Sequence, residues 1–169
     1  MTNPETLALQ VLTSGPVYRF ADWPNPEVPN WRAGVYTVWD GPTFLYVGMA
    51  GRGLAPEAHL ISEATSSIKN RGLRDRLRSH ASGRRSGDQF CVYVCDRLVL
   101  PTMSQDDIDR VAVGLLRLDE RTRSYIRDRL TYRFVVTGTS KEAHELEGMI
   151  RTSGLSGLMP VLNPAKTEG

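Results

Sequence analysis

Two apolar runs that flank a short polar turn give the clearest structural pattern in the chain. Residues 34–39 read Gly-Val-Tyr-Thr-Val-Trp, residues 44–48 read Phe-Leu-Tyr-Val-Gly, and an Asp-Gly-Pro-Thr turn joins them. Valine and aromatic residues are favoured in strands, and a short turn containing Asp-Gly is typical of hairpins. The pattern therefore predicts a β-hairpin over residues 34–48.

Two later apolar segments also have the composition of strands. Residues 89–94 read Gln-Phe-Cys-Val-Tyr-Val, and residues 131–137 read Thr-Tyr-Arg-Phe-Val-Val-Thr. Short runs of β-branched and aromatic residues predict a strand at each place. Cys91 and Cys95 are assigned to the first of these strands. Their spacing fits neither a zinc ribbon nor a disulfide framework, so we expect both to be reduced residues of the core.

Apolar residues recur with helical spacing in several other segments. These are residues 7–12 and 57–64, where the period is weak, and residues 67–81, 104–130 and 140–152. The pattern of 104–130 fits one helix or two helices broken near residues 118–122, and its apolar stripe is expected to cover the sheet. Thr139 and Glu142 form a capping-box pattern, which predicts the start of the last helix.

Segments without periodicity set the domain boundaries. Residues 15–30 combine several prolines with Trp23. Proline disfavours regular elements, whereas tryptophan gains much free energy from burial. We therefore predict an ordered but irregular N-terminal extension (1–30), which lies across the domain or borders its groove. One domain (31–165) and a polar tail (166–169) follow.

Composition and charge are ordinary for a single globular domain. The 169 residues are 40% hydrophobic and 24% charged, and the formal net charge is only +2, so any basic site must be local. The first residues lack the basic and apolar regions of a secretory signal, and no apolar run approaches the length of a membrane span. A cytoplasmic protein without a membrane segment is expected.

One stretch carries a strong local excess of positive charge. Between residues 69 and 85, Asp75 is the only acidic residue. Such a run is often a solvated helix face, but this imbalance exceeds what internal pairing can neutralise and favours a polyanionic partner. The basic residues of the stretch are Lys69, Arg71, Arg74, Arg76, Arg78, Arg84 and Arg85.

A few side chains are candidates for chemistry, and each also has a purely structural interpretation. Arg76 and His80 are four residues apart on one helix face, where they either contact phosphate or serve the fold. Glu147 lies against the apolar stripe of the last predicted helix, where it either pairs with an arginine or holds a divalent metal ion. Tyr36 and Tyr46 stand on the two hairpin strands, where they either pack against each other or belong to a site.

The order of these elements resembles that of the GIY-YIG nuclease superfamily, and most of all its small type II restriction endonucleases. The tripeptides Gly-Val-Tyr at 34–36 and Tyr-Val-Gly at 46–48 resemble the two that name the family. Residues 76–80 (Arg-Leu-Arg-Ser-His) resemble the segment that bears the catalytic arginine. Residues 142–147 resemble the segment that ends in the metal-binding glutamate, and residues 162–164 (Leu-Asn-Pro) resemble the closing asparagine motif.

The resemblance covers residues 34–164 and departs from the family in two places. Met49 stands where many relatives have lysine, so either a nearby basic residue such as Arg52 substitutes for the lysine or its role is absent. The long connection before the basic helix makes Arg74 and Arg78 rival positions for the catalytic arginine.

The resemblance implies both a fold and a reaction. The fold is of the α/β (α+β) class, with a small, mainly antiparallel sheet of three to five strands flanked by helices. The activity is hydrolysis of phosphodiester bonds in double-stranded DNA by a metal-dependent endonuclease, with Mg²⁺ as cofactor and Mn²⁺ as a substitute. Glu147 is implied as the metal ligand and Tyr36 as the general base, helped by His80 or by the field of the metal ion. The other implied site residues are Tyr46, which orients the phosphate or the water, Arg76, which stabilises negative charge, and Asn163, which fixes local geometry.

Several alternatives share this pattern. A repair or mobile-element nicking nuclease would use the same chemistry, and a DNA-binding module would keep the fold without catalysis. DNA contacts are expected from Arg52 and from the basic stretch. Base contacts are expected from the long connection 51–67, the Arg84-Arg85 turn and the N-terminal extension. A homodimer would match a palindromic site. The sequence contains no Gly-rich phosphate loop, which disfavours a small-molecule enzyme that binds nucleotides.

Overall fold

A four-stranded antiparallel sheet forms the centre of the part of the chain that the computed structural model describes, residues 3–54 and 72–164. The strands are β1 (Tyr18–Arg19), β2 (Gly34–Asp40), β3 (Thr43–Ala50) and β4 (Leu130–Val136), in the order β1-β4-β2-β3. Together with the surrounding helices, they give the predicted α+β class with a small antiparallel sheet. The predicted hairpin and the strand at 131–137 are confirmed.

Helices cover the sheet. Within the described residues they are α1 (Pro4–Ser14), α2 (Leu73–Ser82), α3 (Gln89–Val94), α4 (Gln105–Ala112), α5 (Leu118–Arg129) and α6 (Ser140–Ser153). The last begins after Thr139, whose side chain accepts the N–H of Glu142, as the capping pattern predicted. None of these helices combines the length and apolar character needed to cross a membrane. The predictions for the 57–64 helix, for Lys69 and Arg71 and for the polar tail lie outside the described residues.

Strand β2 is buried on both faces, which explains why its sequence is almost continuously apolar. Because side chains alternate along a strand, Tyr36 and Val38 join one apolar cluster and Val35 joins the other. The first cluster is closed by α2, α3 and α5, and the second by α1 and α6. The sheet therefore separates two layers of helices, each with its own core.

The strand predicted at residues 89–94 is wrong, because this segment is helix α3. The Asp88 side chain caps it by accepting the N–H of Cys91. Phe90, Cys91 and Val94 are buried, at helical rather than alternating spacing. A short apolar run does not by itself distinguish a buried strand from a buried helix turn, and here the cap decides. Both cysteines are buried and free, as expected.

The segment 104–130 consists of two helices, and the prediction that its apolar stripe covers the sheet is wrong for the first of them. Helix α4 begins after the Ser104 cap and buries none of its residues. Ile108 is 46% exposed, and Leu115, beyond the turn at Gly114, is 74% exposed. Of these two helices, only α5 covers the sheet, where it buries Thr122 and Ile126.

The N-terminal segment contributes directly to the sheet and the core. The weak helical pattern of residues 7–12 lies in α1, and β1 pairs with β4 through Tyr18 and Tyr132. Phe20 is fully buried and Trp23 is only 9% exposed, so the aromatic residues of the segment pack as predicted.

Gly34, the first glycine of the hairpin, allows close packing at the centre of the sheet. A Cβ atom at this position would lie 2.2 Å from the carbonyl oxygen of Val135 and 2.6 Å from Cδ1 of Leu73. The carbonyl belongs to the neighbouring strand and cannot move without breaking the β2–β4 pairing. A glycine is therefore required here for steric reasons.

We expect Gly34→Ala to lower the free energy of unfolding by about 1–3 kcal/mol, because the added methyl group overpacks the junction of β2, β4 and α2. Gly138→Ala is the matched control, since a Cβ there would meet only the flexible carboxylate of Glu142, at 3.1 Å. Urea unfolding followed by circular dichroism measures both. Equal stability of the two variants would contradict the steric interpretation.

Candidate functional site

The hairpin places Tyr36 directly across from Gly48. A Cβ atom on Gly48 would lie 2.3 Å from the Tyr36 hydroxyl oxygen and 2.9 Å from Cε1 of Tyr46. Both tyrosine rings therefore occupy the space that a side chain at position 48 would need. Their ring centroids are 6.4 Å apart. The two tyrosines are packed together, and the glycine between the strands makes this packing possible.

A chain of hydrogen bonds leads from Tyr36 into the core. The Tyr36 hydroxyl oxygen lies 2.7 Å from Nε2 of His80, and Nδ1 of His80 lies 2.7 Å from Oδ2 of Asp88. All three residues are buried, with 2% exposure or less. The Ser79 hydroxyl and the backbone N–H of Cys91 donate to the same carboxylate, at 2.6 and 3.3 Å. Asp88 is therefore fully satisfied as an acceptor.

Burial and hydrogen bonding set the charge states along this chain. Burial alone would raise the pKa of Asp88, but the hydrogen bonds that its carboxylate accepts from His80 and Ser79 outweigh burial and lower the pKa to about 2. Burial raises the pKa of Tyr36 well above its usual range and that of Tyr46 to about 12, although Arg76 opposes both shifts. At neutral pH Asp88 is a carboxylate and both tyrosines are neutral phenols.

Tyr36 is one of the residues that line an open pocket of about 630 Å³. Arg76 from α2 and Glu147 from α6 line the same pocket. These two helices cover opposite faces of the sheet, and they reach one pocket because β3 is the last strand of the sheet. The other lining residues are Tyr46, Gly48, Met49, Ala50, Gly51, Arg52, Asp75, Ser79, Gly87 and Gln89.

Glu147 fits both of the interpretations given to it by the sequence. It is only 9% exposed and lies beside the buried stripe of Ala143, Leu146 and Ile150. Its Oε1 atom is 3.4 Å from Nη1 of Arg151, a long ion pair. The arginine also donates to the carbonyl oxygen of Pro164. The carboxylate thus has a cationic neighbour on one side and the open pocket on the other.

Asn163 forms hydrogen bonds with the second hairpin strand, β3. Its Oδ1 accepts the N–H of Val47 and its Nδ2 donates to the carbonyl oxygen of Val47, both at 2.9 Å. Leu162 donates its N–H to the carbonyl oxygen of Leu45, so the C-terminal segment pairs with the free edge of β3. Asn163 therefore fixes strand β3 at the residue that follows Tyr46, and it is not among the residues that line the pocket.

The basic stretch divides into pocket residues and structural residues. The side chain of Arg76 is exposed and forms no hydrogen bond or ion pair within residues 3–54 and 72–164, whereas its backbone N–H donates to the carbonyl oxygen of Gly72. Arg74 instead donates to backbone carbonyl oxygens of the N-terminal segment. Arg78 pairs with Asp75 and Arg85 pairs with Asp119. Arg84 is exposed, and Arg52 lines the pocket from the hairpin side.

One group of buried side chains has the composition of a metal site but the geometry of a hydrogen-bond network. Ligand atoms of His80, Asp88 and Cys91 all lie within 4.8 Å of one another. Both ring nitrogens of His80 are engaged, with Tyr36 and Asp88, and the Cys91 thiol donates to the His80 carbonyl oxygen at 3.6 Å. Burial raises the pKa of Cys91, which disfavours the thiolate that a metal would require.

Sequence reasoning missed Asp88, and the error at residues 89–94 explains why. A helix N-terminus after Asp88 would have marked it as a cap, whereas a predicted strand gave it no role. The spacing of eight residues between His80 and Asp88 crosses the turn between α2 and α3, so periodicity could not connect them. Arg151 was also missed, although its spacing of four from Glu147 on one helix predicts an ion pair.

We expect Asn163→Asp to destabilise the protein by about 1–3 kcal/mol, because the carboxylate cannot donate to the Val47 carbonyl and leaves it unsatisfied. Asn3→Asp is the control. Asn3 uses only its side-chain oxygen, as the cap of α1, and aspartate replaces asparagine well in that position. Thermal unfolding of both variants checks this. The interpretation of Asn163 as a two-way clamp is wrong if the aspartate is tolerated there.

Comparisons of the chain with models of protein families, with curated proteins and with solved structures found no match. The resemblance to GIY-YIG nucleases therefore rests on the residues and geometry described above and stays a prediction.

Proposed function

We propose that the protein is a Mg²⁺-dependent endonuclease that hydrolyses phosphodiester bonds in double-stranded DNA, as a restriction-type enzyme. The observation that carries the proposal is the Tyr36–His80 hydrogen bond at the wall of a pocket that Arg76 and Glu147 also line. A proton acceptor, a cation and a hard oxygen ligand thus converge on one open space. These are the groups that phosphodiester hydrolysis needs.

The proton path follows from the geometry of the tyrosine. Attack by water on phosphorus requires a base, and a neutral phenol accepts the water proton only if it passes its own proton on. The Tyr36 hydroxyl has such an outlet, because Nε2 of His80 lies 2.7 Å away. A water proton moves to the Tyr36 oxygen as the phenolic proton moves to Nε2. The high pKa of Tyr36 makes the phenolate strongly basic and keeps it from forming without His80.

Arg76 supplies the positive charge for the transition state. Its guanidinium is exposed at the pocket and, within the described residues, has no carboxylate partner to compete with a phosphate. A planar guanidinium can donate two parallel hydrogen bonds to phosphate oxygens. Tyr46, two residues before Gly48 on the same strand, would orient the phosphate or the attacking water. Arg52 would contact the DNA backbone from the hairpin.

Glu147 is the residue that would hold the metal ion. Its carboxylate is a hard oxygen donor at an open, largely polar pocket, and its 3.4 Å contact with Arg151 is long enough to leave it available. A single protein carboxylate suits Mg²⁺, which keeps most of its waters, and Mn²⁺ accepts the same donor. Bound there, the ion would neutralise charge on the phosphate and help the leaving oxygen to depart.

The biological setting is part of the proposal. A restriction enzyme acts on DNA in the cytoplasm, and a homodimer would place one such site on each strand of a palindromic sequence. A repair or mobile-element nicking enzyme would need the same residues. A catalytically inactive DNA-binding module is the second candidate, and cleavage itself distinguishes it from the enzymes.

The test is conversion of supercoiled plasmid DNA to nicked and linear forms. The wild-type protein should cut with Mg²⁺ and fail with EDTA, and Glu147→Gln should lower the rate by about 10³-fold or more, because a metal ion contributes several kcal/mol to such reactions. Glu145→Gln, an exposed position on the same helix, is the matched control and should cut normally.

Two results would contradict the proposal. The protein is not a nuclease if the wild type binds DNA without cutting it in Mg²⁺ or Mn²⁺. Glu147 is not the metal ligand if Glu147→Gln keeps full Mg²⁺-dependent activity with an unchanged melting temperature.

Arg76→Ala should lower the single-turnover cleavage rate by about 10²–10³-fold, because one preorganised donor to the transition state is lost. Arg78→Ala removes the same side chain from an exposed position of the same helix, where it pairs with Asp75, and should cut at close to the wild-type rate. Similar losses in both variants would indicate that the helix contributes only general positive charge.

A further inference from the structure

We propose that Asp88 is a positioning residue that fixes the tautomer of His80, so that Nε2 is the nitrogen free to take the Tyr36 proton. The kinetic part of this inference rests on the proposed nuclease function, whereas the tautomer itself is a property of the folded chain. Asp88 is not among the residues that line the pocket, and its connection to Tyr36 runs through His80.

The geometry requires a defined proton arrangement. Asp88 is a carboxylate at neutral pH and can only accept, so His80 Nδ1, 2.7 Å from it, must carry a proton. In the neutral ring the other nitrogen, Nε2, is then an acceptor, and it lies 2.7 Å from the Tyr36 hydroxyl. The hydroxyl donates to Nε2 and is oriented by it.

The carboxylate is itself held in place from two other directions. The Ser79 hydroxyl donates to Oδ2, and the Cys91 N–H donates to Oδ1 as part of the cap of α3. The imidazole ring also packs against Phe90, with centroids 4.5 Å apart. Neither the acid nor the ring can turn without breaking buried hydrogen bonds, so the tautomer is built into the junction between α2 and α3.

Asp88 stabilises the proton after its transfer from Tyr36 to His80. The transfer breaks the Tyr36 O–H bond and forms an Nε2–H bond, which leaves an imidazolium beside the Asp88 carboxylate, while the Tyr36 oxygen takes the proton of the attacking water. The other groups facing the pair are the Tyr46 ring, the Cys91 thiol, Arg76 and Glu147. At Tyr36, Arg76 favours the phenolate, whereas burial and the charges of Asp88 and Glu147 oppose it. At His80, the Asp88 carboxylate lies 2.7 Å from Nδ1 and stabilises the new cation.

The first experiment reads the tautomer without any assay of activity. Long-range ¹H–¹⁵N NMR spectra show which nitrogen of each of the three histidines carries a proton. His59→Gln and His144→Gln variants identify the His80 signals by elimination. Wild-type protein should show Nδ1 protonated and Nε2 free, and Asp88→Asn should shift the population toward the other tautomer. A ring protonated at Nε2 in the wild type, whether neutral or imidazolium, or an unchanged spectrum in Asp88→Asn, would overturn the proposal.

The second experiment measures DNA cleavage by variants that separate the cap from the tautomer. Asparagine and serine both keep an acceptor for the Cys91 N–H, but asparagine presents an amide to Nδ1 and serine is too short to reach it. Both variants should lower the cleavage rate by about 10²–10⁴-fold, the range seen when the orienting acid of a histidine base is lost. DNA affinity should stay at the wild-type level. A rate near wild type in a folded Asp88→Asn or Asp88→Ser protein would overturn the proposal.

Cys91→Ala is the control for the metal interpretation of the same cluster. If the cluster is a hydrogen-bond network, this variant should keep its cleavage rate and the wild-type tautomer. Parallel loss of bound metal and activity in Cys91→Ala would instead show a metal centre and overturn the tautomer role. If wild-type protein cuts no DNA at all, the nuclease proposal fails while the NMR result still decides the role of Asp88.

Discussion

The site depends on the close contact between Tyr36 and Gly48. Antiparallel pairing puts the two residues opposite each other, and the absence of a side chain at 48 lets the Tyr36 ring lie across the hairpin. Only in that position does its hydroxyl reach His80 on α2. Gly34, two residues before Tyr36 on the same strand, has the equivalent role of letting α2 approach the sheet. The two glycines therefore set the distance between strand and helix on which the hydrogen bond depends.

A buried phenol is a poor base unless a neighbouring buried group can accept its proton. Removing Tyr36 from water disfavours its ionised form, which alone would make it inert. The His80–Asp88 pair changes this, because a charge created on the ring forms beside an existing carboxylate. Burial then becomes useful, since it strengthens each hydrogen bond of the chain and excludes competing water. In the proposed reaction, burial would therefore both suppress the ionisation of Tyr36 and assist the transfer of its proton to His80.

The sequence was sufficient where a local pattern determines the structure. The hairpin, the capped start of α6 and the position of Glu147 beside the buried stripe follow from turn chemistry and helical period. It was insufficient where tertiary context decides. Five apolar residues at 90–94 satisfy a strand and a buried helix equally, and the amphipathic face of α4 carries no information on whether anything covers it. The resulting error concealed Asp88, because its only sequence signal was its role as a cap.

A count of charged residues overestimates the positive charge at the pocket, because most described arginines of the basic stretch are engaged elsewhere. Asp75 and Asp119 neutralise Arg78 and Arg85, and Arg74 is occupied with the backbone of the N-terminal segment. Among the described members of the stretch, Arg76 is the one that lines the pocket. An exposed charge in high dielectric contributes little to stability, and within the described residues the Arg76 guanidinium has no carboxylate partner. The proposed phosphodiester substrate would give this guanidinium an anionic partner, because its phosphate would enter the open pocket from solution.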